Sequence, residues 1–143
     1  MSEQLLNILL VEDDALDVMN VRRAFKKNNI LNPLNVAGNG VEALEMLRGK
    51  DGGAPECPAE RRLILLDLNM PKMNGIEFLR ELRADPALRA TPVVVLTTSD
   101  EDRGKIDAYH FNVAGYIVKP VTLHNFIETM AVLNKYWMLS ELP

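Results

Sequence analysis

The chain lacks the residues on which several classes of protein depend. It has one cysteine in 143 residues, Cys57, so an internal disulfide is excluded and a reducing compartment is expected. Its two histidines, His110 and His124, lack the spacing of a metal-binding pair. No apolar stretch approaches the ~20 residues of a membrane-spanning helix, and no signal peptide is recognisable. We therefore expect a cytoplasmic protein that does not enter a membrane.

A surplus of basic residues is also absent. The formal net charge is −4, which argues against direct nucleic-acid binding, because such binding neutralises phosphates with a basic surface. With 48% hydrophobic and 25% charged residues, the composition is that of a globular protein. The length fits a single domain over residues 1–143, able to bury a core without disulfides or a structural metal.

Continuous apolar runs rich in Val, Ile and Leu mark the predicted strands. Such runs, as opposed to alternating ones, suit strands that helices cover on both faces. Helical periodicity lies between the runs, although it is poor over 100–111, where Gly104 interrupts it. We predict an α/β fold: a flavodoxin-like, doubly wound, five-stranded parallel sheet of order 2-1-3-4-5 with five helices. The predicted strands cover 7–11, 34–37, 63–67, 92–97 and 115–118, the second being the weakest.

A long connection, 49–61, lies between the second predicted helix and the third predicted strand. It is rich in Gly and Pro, and its length exceeds that of ordinary connections, so we predict a surface insertion. Cys57 falls within it. We interpret this cysteine as a loop thiol without a role.

Polar residues stand at the ends of four of the apolar runs, namely Asp13, Asp67, Thr97 and Lys119. The carboxyl ends of parallel strands meet at one edge of the sheet, so these side chains should converge there. With Glu12, the site would hold three carboxylates, which repel one another unless protons or a cation intervene. Mg²⁺ prefers oxygen ligands of this kind. The alternative for these acids is to cap the first helix, which a neighbouring aspartate can do alone.

Asp67 is also suited to act as a nucleophile. A carboxylate can attack a phosphoryl group to form an aspartyl phosphate, a reaction that needs positioning and charge neutralisation more than an added base. Pro71 and Gly75 impose a turn after Asp67 that lets a backbone carbonyl approach the metal. Thr97 could bond a phosphoryl oxygen or equally cap the following helix. Lys119 is better explained as a phosphate partner than as a solvated surface lysine.

These residues together resemble the receiver domain of two-component response regulators, and the resemblance covers about residues 6–135. It implies that Asp67 accepts a phosphoryl group from a histidine kinase in the presence of Mg²⁺. The motifs that carry it are Val11-Glu12-Asp13-Asp14, Leu66-Asp67-Leu68-Asn69-Met70-Pro71-Lys72-Met73-Asn74-Gly75, Leu96-Thr97-Thr98 and Tyr116-Ile117-Val118-Lys119-Pro120. The implied metal ligands are Glu12, Asp13, Asp67 and the backbone carbonyl of Asn69.

The resemblance also implies how the signal would spread. Thr97 and Lys119 would bind the phosphoryl group, and the peptide bond between Lys119 and Pro120 would be cis. Tyr116 would be the switch residue, moving inward when Thr97 shifts toward the phosphate and changing a protein-binding surface. From the sequence alone, Tyr116 is equally a half-buried strand residue. We expect a stand-alone regulator without a DNA-binding output domain, acting on a downstream protein or phosphotransfer partner. We expect no enzymatic activity beyond self-phosphorylation and slow autodephosphorylation.

The tail, 136–143, is unusually apolar for a chain end. Together with the insertion, it resembles the single-domain regulators associated with bacterial and cyanobacterial phytochromes, which implies a phytochrome as the kinase. We hypothesise that the tail is a homodimer arm that packs on a second subunit, as opposed to folding back on its own domain. The residues that would form the arm are Tyr136, Trp137, Leu139 and Leu142.

Two other functions are weighed against this interpretation. A Mg²⁺-dependent aspartyl-phosphate phosphatase would want an acid two residues beyond the nucleophile, where Asn69 stands. A flavin- or nucleotide-binding flavodoxin-like protein would carry a chromophore or a bound nucleotide when purified. The segment 38–43 matches the Gly-x-Gly-x-x-Ala dinucleotide pattern, but that pattern belongs in the first strand–helix turn of such a domain. Asp13 and its acidic neighbours occupy that turn here and would repel a pyrophosphate.

Overall fold

Strands and helices alternate along the chain in the computed structural model. The elements are β1 (Asn7–Val11), α1 (Ala15–Lys27), β2 (Leu34–Ala37), α2 (Gly40–Arg48), β3 (Arg62–Asp67), α3 (Gly75–Ala84), β4 (Val93–Thr97) and β5 (Gly115–Val118). The structure describes residues 6–49, 52–58, 60–68, 74–97, 111, 113–118, 128, 131–132 and 135.

The strands form one parallel sheet in the order β2-β1-β3-β4-β5. This order places β1 and β3 side by side near the middle, with Val11 opposite Leu66, so the carboxyl ends of the two strands are neighbours. The predicted flavodoxin-like α/β class is confirmed, and the weak strand over 34–37 is found with those bounds.

Three helices of the predicted set fall wholly within the described residues. The predicted fourth helix, over 100–111, lies outside them except for its last residue. For the predicted last helix, the described residues 128, 131, 132 and 135 are helical. Among the described helices, none combines the length and the apolarity that crossing a membrane requires.

The central strands are covered on both faces, which explains why their sequences are continuously apolar. Side chains of a strand point alternately to opposite faces, and here the two faces contribute to two separate clusters of buried residues. Leu9 and Ile64 pack with residues of α2 and α3 in one cluster. Leu10 and Leu65 pack with residues of α1 in the other. The packed sheet therefore supports the side chains at its carboxyl edge rigidly.

The predicted surface insertion places one of its side chains, that of Cys57, in the core. Of its described residues 52–58, only Cys57 is buried, with an exposed fraction of 0%. The Cys57 N–H donates a hydrogen bond to the Met46 carbonyl at 3.2 Å. The thiol packs in the same apolar cluster as α2 and α3. The interpretation of Cys57 as a loop thiol without a role is therefore corrected, because its side chain fills part of the core.

Arg62, the first residue of β3, donates hydrogen bonds to this insertion. Its side chain is 5% exposed. Its Nε donates to the Pro58 carbonyl at 3.1 Å, and its Nη2 donates to the carbonyls of Cys57 at 2.6 Å and Leu47 at 3.3 Å. One buried guanidinium thus donates hydrogen bonds to carbonyls of the insertion and of the end of α2. Burial raises the pKa of the Cys57 thiol, an effect that the nearby Arg62 charge opposes.

Replacement of Arg62 by methionine should loosen the insertion. Three carbonyls would lose their donor in a buried setting, so we expect the free energy of unfolding to fall by about 1–3 kcal/mol, measured by urea denaturation. Removal of the arginine charge would raise the thiol pKa further, which by itself slows the reaction of Cys57 with a thiol reagent. Faster labelling could therefore come only from opening of the segment. We expect labelling to accelerate.

The matched control is Arg23→Met, which removes one positive charge from an exposed site on α1. It should change stability by no more than about 0.5 kcal/mol and leave the labelling rate of Cys57 unaltered. Equal behaviour of the two variants would contradict the role assigned to Arg62.

Candidate functional site

Three carboxylates meet at the carboxyl edge of the sheet. One oxygen from each of Glu12, Asp13 and Asp67 lies within 4.8 Å of the other two. Glu12 is 2% exposed and Asp67 is 3% exposed, whereas Asp13 is open to solvent. The cluster therefore has a buried side and one accessible side.

The strands account for the positions of the two buried acids. Asp67 is the last residue of β3 and pairs in register with Leu96 of β4. Glu12 follows β1 directly, and its N–H still donates to the Ala37 carbonyl of β2 at 2.9 Å. Because β1 and β3 are neighbours in matched register, Glu12 and Asp67, the polar residues at their carboxyl ends, come together.

Capping of α1 is the task of Asp14. Its Oδ1 accepts hydrogen bonds from the N–H groups of Leu16 at 2.8 Å and Asp17 at 3.3 Å. The N–H of Asp14 in turn donates to Glu12 Oε1 at 3.2 Å, which holds the Glu12 side chain toward the start of the helix. Capping therefore does not explain why a further acid, Asp13, stands beside the two buried ones.

The donor set of this cluster fits a hard divalent cation. Carboxylates held this close repel one another, and removal from water adds to the cost for the two that are buried. A cation of the Mg²⁺ type accepts carboxylate oxygens together with waters and phosphate oxygens. The accessible side of the cluster, next to Asp13, is where such further ligands would enter.

α3 begins immediately beside Asp67 because position 75 has no side chain. The Gly75 N–H donates to the Leu68 carbonyl at 3.0 Å. A Cβ at position 75 would lie 2.5 Å from the Leu68 Cα and 2.9 Å from the Asp67 carbonyl oxygen, distances that real Cβ atoms do not show. The glycine therefore allows the start of α3 to press against the end of β3.

α3 begins with a capping box that was not predicted from the sequence. The Asn74 side chain accepts from the Glu77 N–H at 3.0 Å, and the Glu77 side chain accepts from the Asn74 N–H at 3.4 Å. The signal was present as Asn-x-x-Glu, which is the spacing that satisfies two otherwise unpaired N–H groups reciprocally. The box fixes the helix end that lies next to Asp67.

The other predicted site residues are described in part. Thr97 ends β4, and its backbone pairs with Val118, the last residue of β5. Tyr116 lies within β5, opposite Val95. Their switching roles remain predictions. The remaining predicted residues lie outside the described part of the chain: Asn69, Lys119, Pro120, Tyr136, Trp137, Leu139 and Leu142.

Comparison with known proteins gives one consistent family. A model of the response regulator receiver domain matches residues 8–131. The chain is 37% identical over 131 residues to the probable methanogenesis regulatory protein FilR2 of Methanothrix harundinacea, covering 92% of this chain and 83% of that protein. It is 35% identical over 131 residues to the response regulator Rcp1 of Synechocystis, covering 92% of this chain and 88% of Rcp1.

Solved structures agree with the sequence relatives. The Mn²⁺-bound form of Rcp1 has a TM-score of 0.78 and 35% identity, covering 95% of this chain and 97% of Rcp1. The phosphorylated cyanobacterial phytochrome response regulator RcpA has a TM-score of 0.80 and 31% identity, covering 98% of this chain and 99% of RcpA. The predicted resemblance to phytochrome-associated regulators is thus confirmed. The chain belongs to the response regulator receiver domain family, whose members act in two-component signalling.

Proposed function

We propose that this chain is a phospho-acceptor response regulator in which Asp67 receives a phosphoryl group from a histidine kinase with the help of Mg²⁺. The observation that carries the proposal is the cluster of Glu12, Asp13 and Asp67, with donor oxygens within 4.8 Å of one another. Family membership supports the chemistry, and the Mn²⁺-bound form of Rcp1 is a relative with a divalent cation.

Phosphoryl transfer would use few groups of the chain. An Asp67 carboxylate oxygen attacks the phosphorus atom of the donor's phosphohistidine, the new O–P bond forms, and the N–P bond breaks with the electron pair leaving on the imidazole. Bound Mg²⁺, held by Glu12, Asp13, Asp67 and the Asn69 carbonyl, would neutralise charge on the phosphoryl oxygens. The chain contributes position, because β3 and the contact at Gly75 hold the Asp67 backbone in place.

Thr97 and Lys119 would complete the site and carry the response. The hydroxyl of Thr97 would donate a hydrogen bond to one phosphoryl oxygen, and the Lys119 ammonium would pair with another. The peptide bond between Lys119 and Pro120 would be cis. Movement of Thr97 would let Tyr116 turn inward and change the surface that a downstream protein or phosphotransfer partner recognises. The pairing of β4 with β5 supports this assignment, since Thr97 lies opposite Val118.

The kinase would be a phytochrome in the cytoplasm. This part of the proposal is supported by the relation to RcpA, which is itself described as a phytochrome response regulator. We infer a regulator that does not bind nucleic acid directly. Beyond self-phosphorylation and slow autodephosphorylation, no enzymatic activity is proposed.

A homodimer built on the tail is the second element of the proposal. Residues 136–143 are apolar, with aromatic side chains at Tyr136 and Trp137. Chain ends are ordinarily polar, so the apolar composition of the tail supports its burial against a second subunit.

Phosphorylation at Asp67 is tested by intact-mass analysis. Acetyl phosphate with Mg²⁺ should add one phosphate group to the wild-type chain and none to Asp67→Asn, because the amide cannot act as the nucleophile. Asp14→Asn is the matched control, since asparagine caps a helix as well as aspartate does, and it should still accept one phosphate. Modification of Asp67→Asn, or none of the wild type, would contradict the proposal.

The carboxylate cluster predicts opposite effects of Asp13→Asn on apo stability and metal binding. One member of a repelling group is removed, so the thermal unfolding temperature in EDTA should rise by about 2–4 °C, as roughly 1 kcal/mol gives in a domain of this size. Mg²⁺ affinity, measured by titration calorimetry, should fall. Asp14→Asn should change neither quantity. An equal or lower apo unfolding temperature for Asp13→Asn would count against a repelling cluster.

The dimer arm is tested by shortening the chain after Lys135. The wild type should sediment as a dimer and the shortened chain as a monomer, because the apolar contact with the second subunit is lost. Circular dichroism and acceptance of one phosphate from acetyl phosphate would establish that the shortened chain is folded. A dimer that survives the truncation, or a monomeric wild type, would exclude the arm.

A further inference from the structure

β5 is an edge strand of four residues and pairs on one side, with β4. The register sets Val94 opposite Gly115 and Thr97 opposite Val118. A slip of one residue would turn every side chain of the strand to the other face and would move its end along the sheet. For so short a strand, contacts at its entry therefore contribute to holding it in register.

The described residues that lead into β5 make hydrogen bonds to β4 and to α3. The Ala114 N–H donates to the Val93 carbonyl, at the start of β4, at 2.7 Å. Three residues earlier, the carbonyl of Phe111 accepts from Arg83 Nε, also at 2.7 Å. The Phe111 side chain is itself buried in the cluster that contains residues of α2 and α3.

Arg83 joins this entry to the connection before β4. The arginine lies in the last turn of α3, and its Nη1 donates to the carbonyls of Arg89 at 2.9 Å and Thr91 at 2.8 Å. A single planar guanidinium thus binds the residues that lead into β4 and the residue that leads into β5. Its donors have a fixed geometry, so they fix the two segments relative to each other.

The guanidinium is partly removed from water at this place. Burial lowers the pKa of Arg83, but an arginine stays charged at neutral pH. Without it, three carbonyls would lose a charged donor, and the entry of β5 would depend more on the Ala114 hydrogen bond to β4 and on the buried Phe111 side chain.

We propose that Arg83 is a positioning residue for Lys119, because it fixes the entry of β5 and thereby the place where β5 ends. Lys119 follows the last residue of β5 in the sequence, so the register of the strand decides how the ammonium can reach a phosphoryl group on Asp67. This inference rests on the proposed role of Lys119. The carboxylate cluster belongs to the ends of β1 and β3, so metal binding does not depend on Arg83.

The experiment compares Arg83→Met with Arg89→Met, which removes an exposed arginine side chain but keeps the carbonyl that Arg83 binds. Arg83→Met should slow phosphorylation by acetyl phosphate by about 10- to 100-fold, the range expected for a misplaced group near the reacting atoms. Its Mg²⁺ affinity by titration calorimetry should equal that of the wild type. Arg89→Met should match the wild type in both, and Arg83→Lys should recover part of the rate.

A double-variant cycle with Lys119→Met separates positioning from a general structural effect. If Arg83 acts through Lys119, Arg83→Met should cost little more once Lys119 is replaced, whereas independent effects would multiply. If the losses of phosphorylation rate multiply, or if Arg83→Met also loses Mg²⁺ affinity, the inference about Arg83 is overturned and the proposed function is unaffected. A wild-type chain that accepts no phosphate would overturn the proposed function and the inference with it. If Arg83→Met does not fold, Arg83→Gln takes its place in the same cycle.

Discussion

The mutual repulsion of three carboxylates at the carboxyl edge of the sheet is the constraint on which the site depends. Glu12 and Asp67 are held almost without exposure to water, and Asp13 adds a third charge on the open side. Such a group persists only because the parallel pairing of β1 and β3, packed between two apolar layers, leaves the acids no other place. Folding free energy from the core therefore holds together charges that a cation can then neutralise.

Much of the fold and the acidic cluster was predictable because the signals are local. Continuous apolar runs identify strands covered on both faces, and the first polar residue after each run identifies the edge where Asp67 stands. The burial of Cys57 and Arg62 was not predictable in this way. An arginine beside a glycine- and proline-rich connection is ordinarily exposed, and its burial depends on carbonyls of α2 and of the insertion that only the folded chain brings to it.

Two arginines, at separate places, each donate hydrogen bonds to several backbone carbonyls. Arg62 collects carbonyls of the insertion and of α2, while Arg83 collects carbonyls before β4 and before β5. The acceptors are backbone groups of irregular segments, or of the last turn of a helix, which have no regular hydrogen-bond partner. A guanidinium offers several donors in one rigid plane, so one side chain can hold two connections together. The irregular parts of this domain are thereby tied to its regular parts.

The close contact at Gly75 bears on how the sequence can vary. Any side chain there would meet the backbone of Asp67 and Leu68, which cannot turn aside as a flexible side chain can. The position is closed to all nineteen other residue types unless the helix retreats from the strand, and a retreat would carry the Asn74 cap with it. Among mutational routes open to this protein, those through position 75 would displace the backbone of Leu68 and Asp67, and with it one member of the acidic cluster.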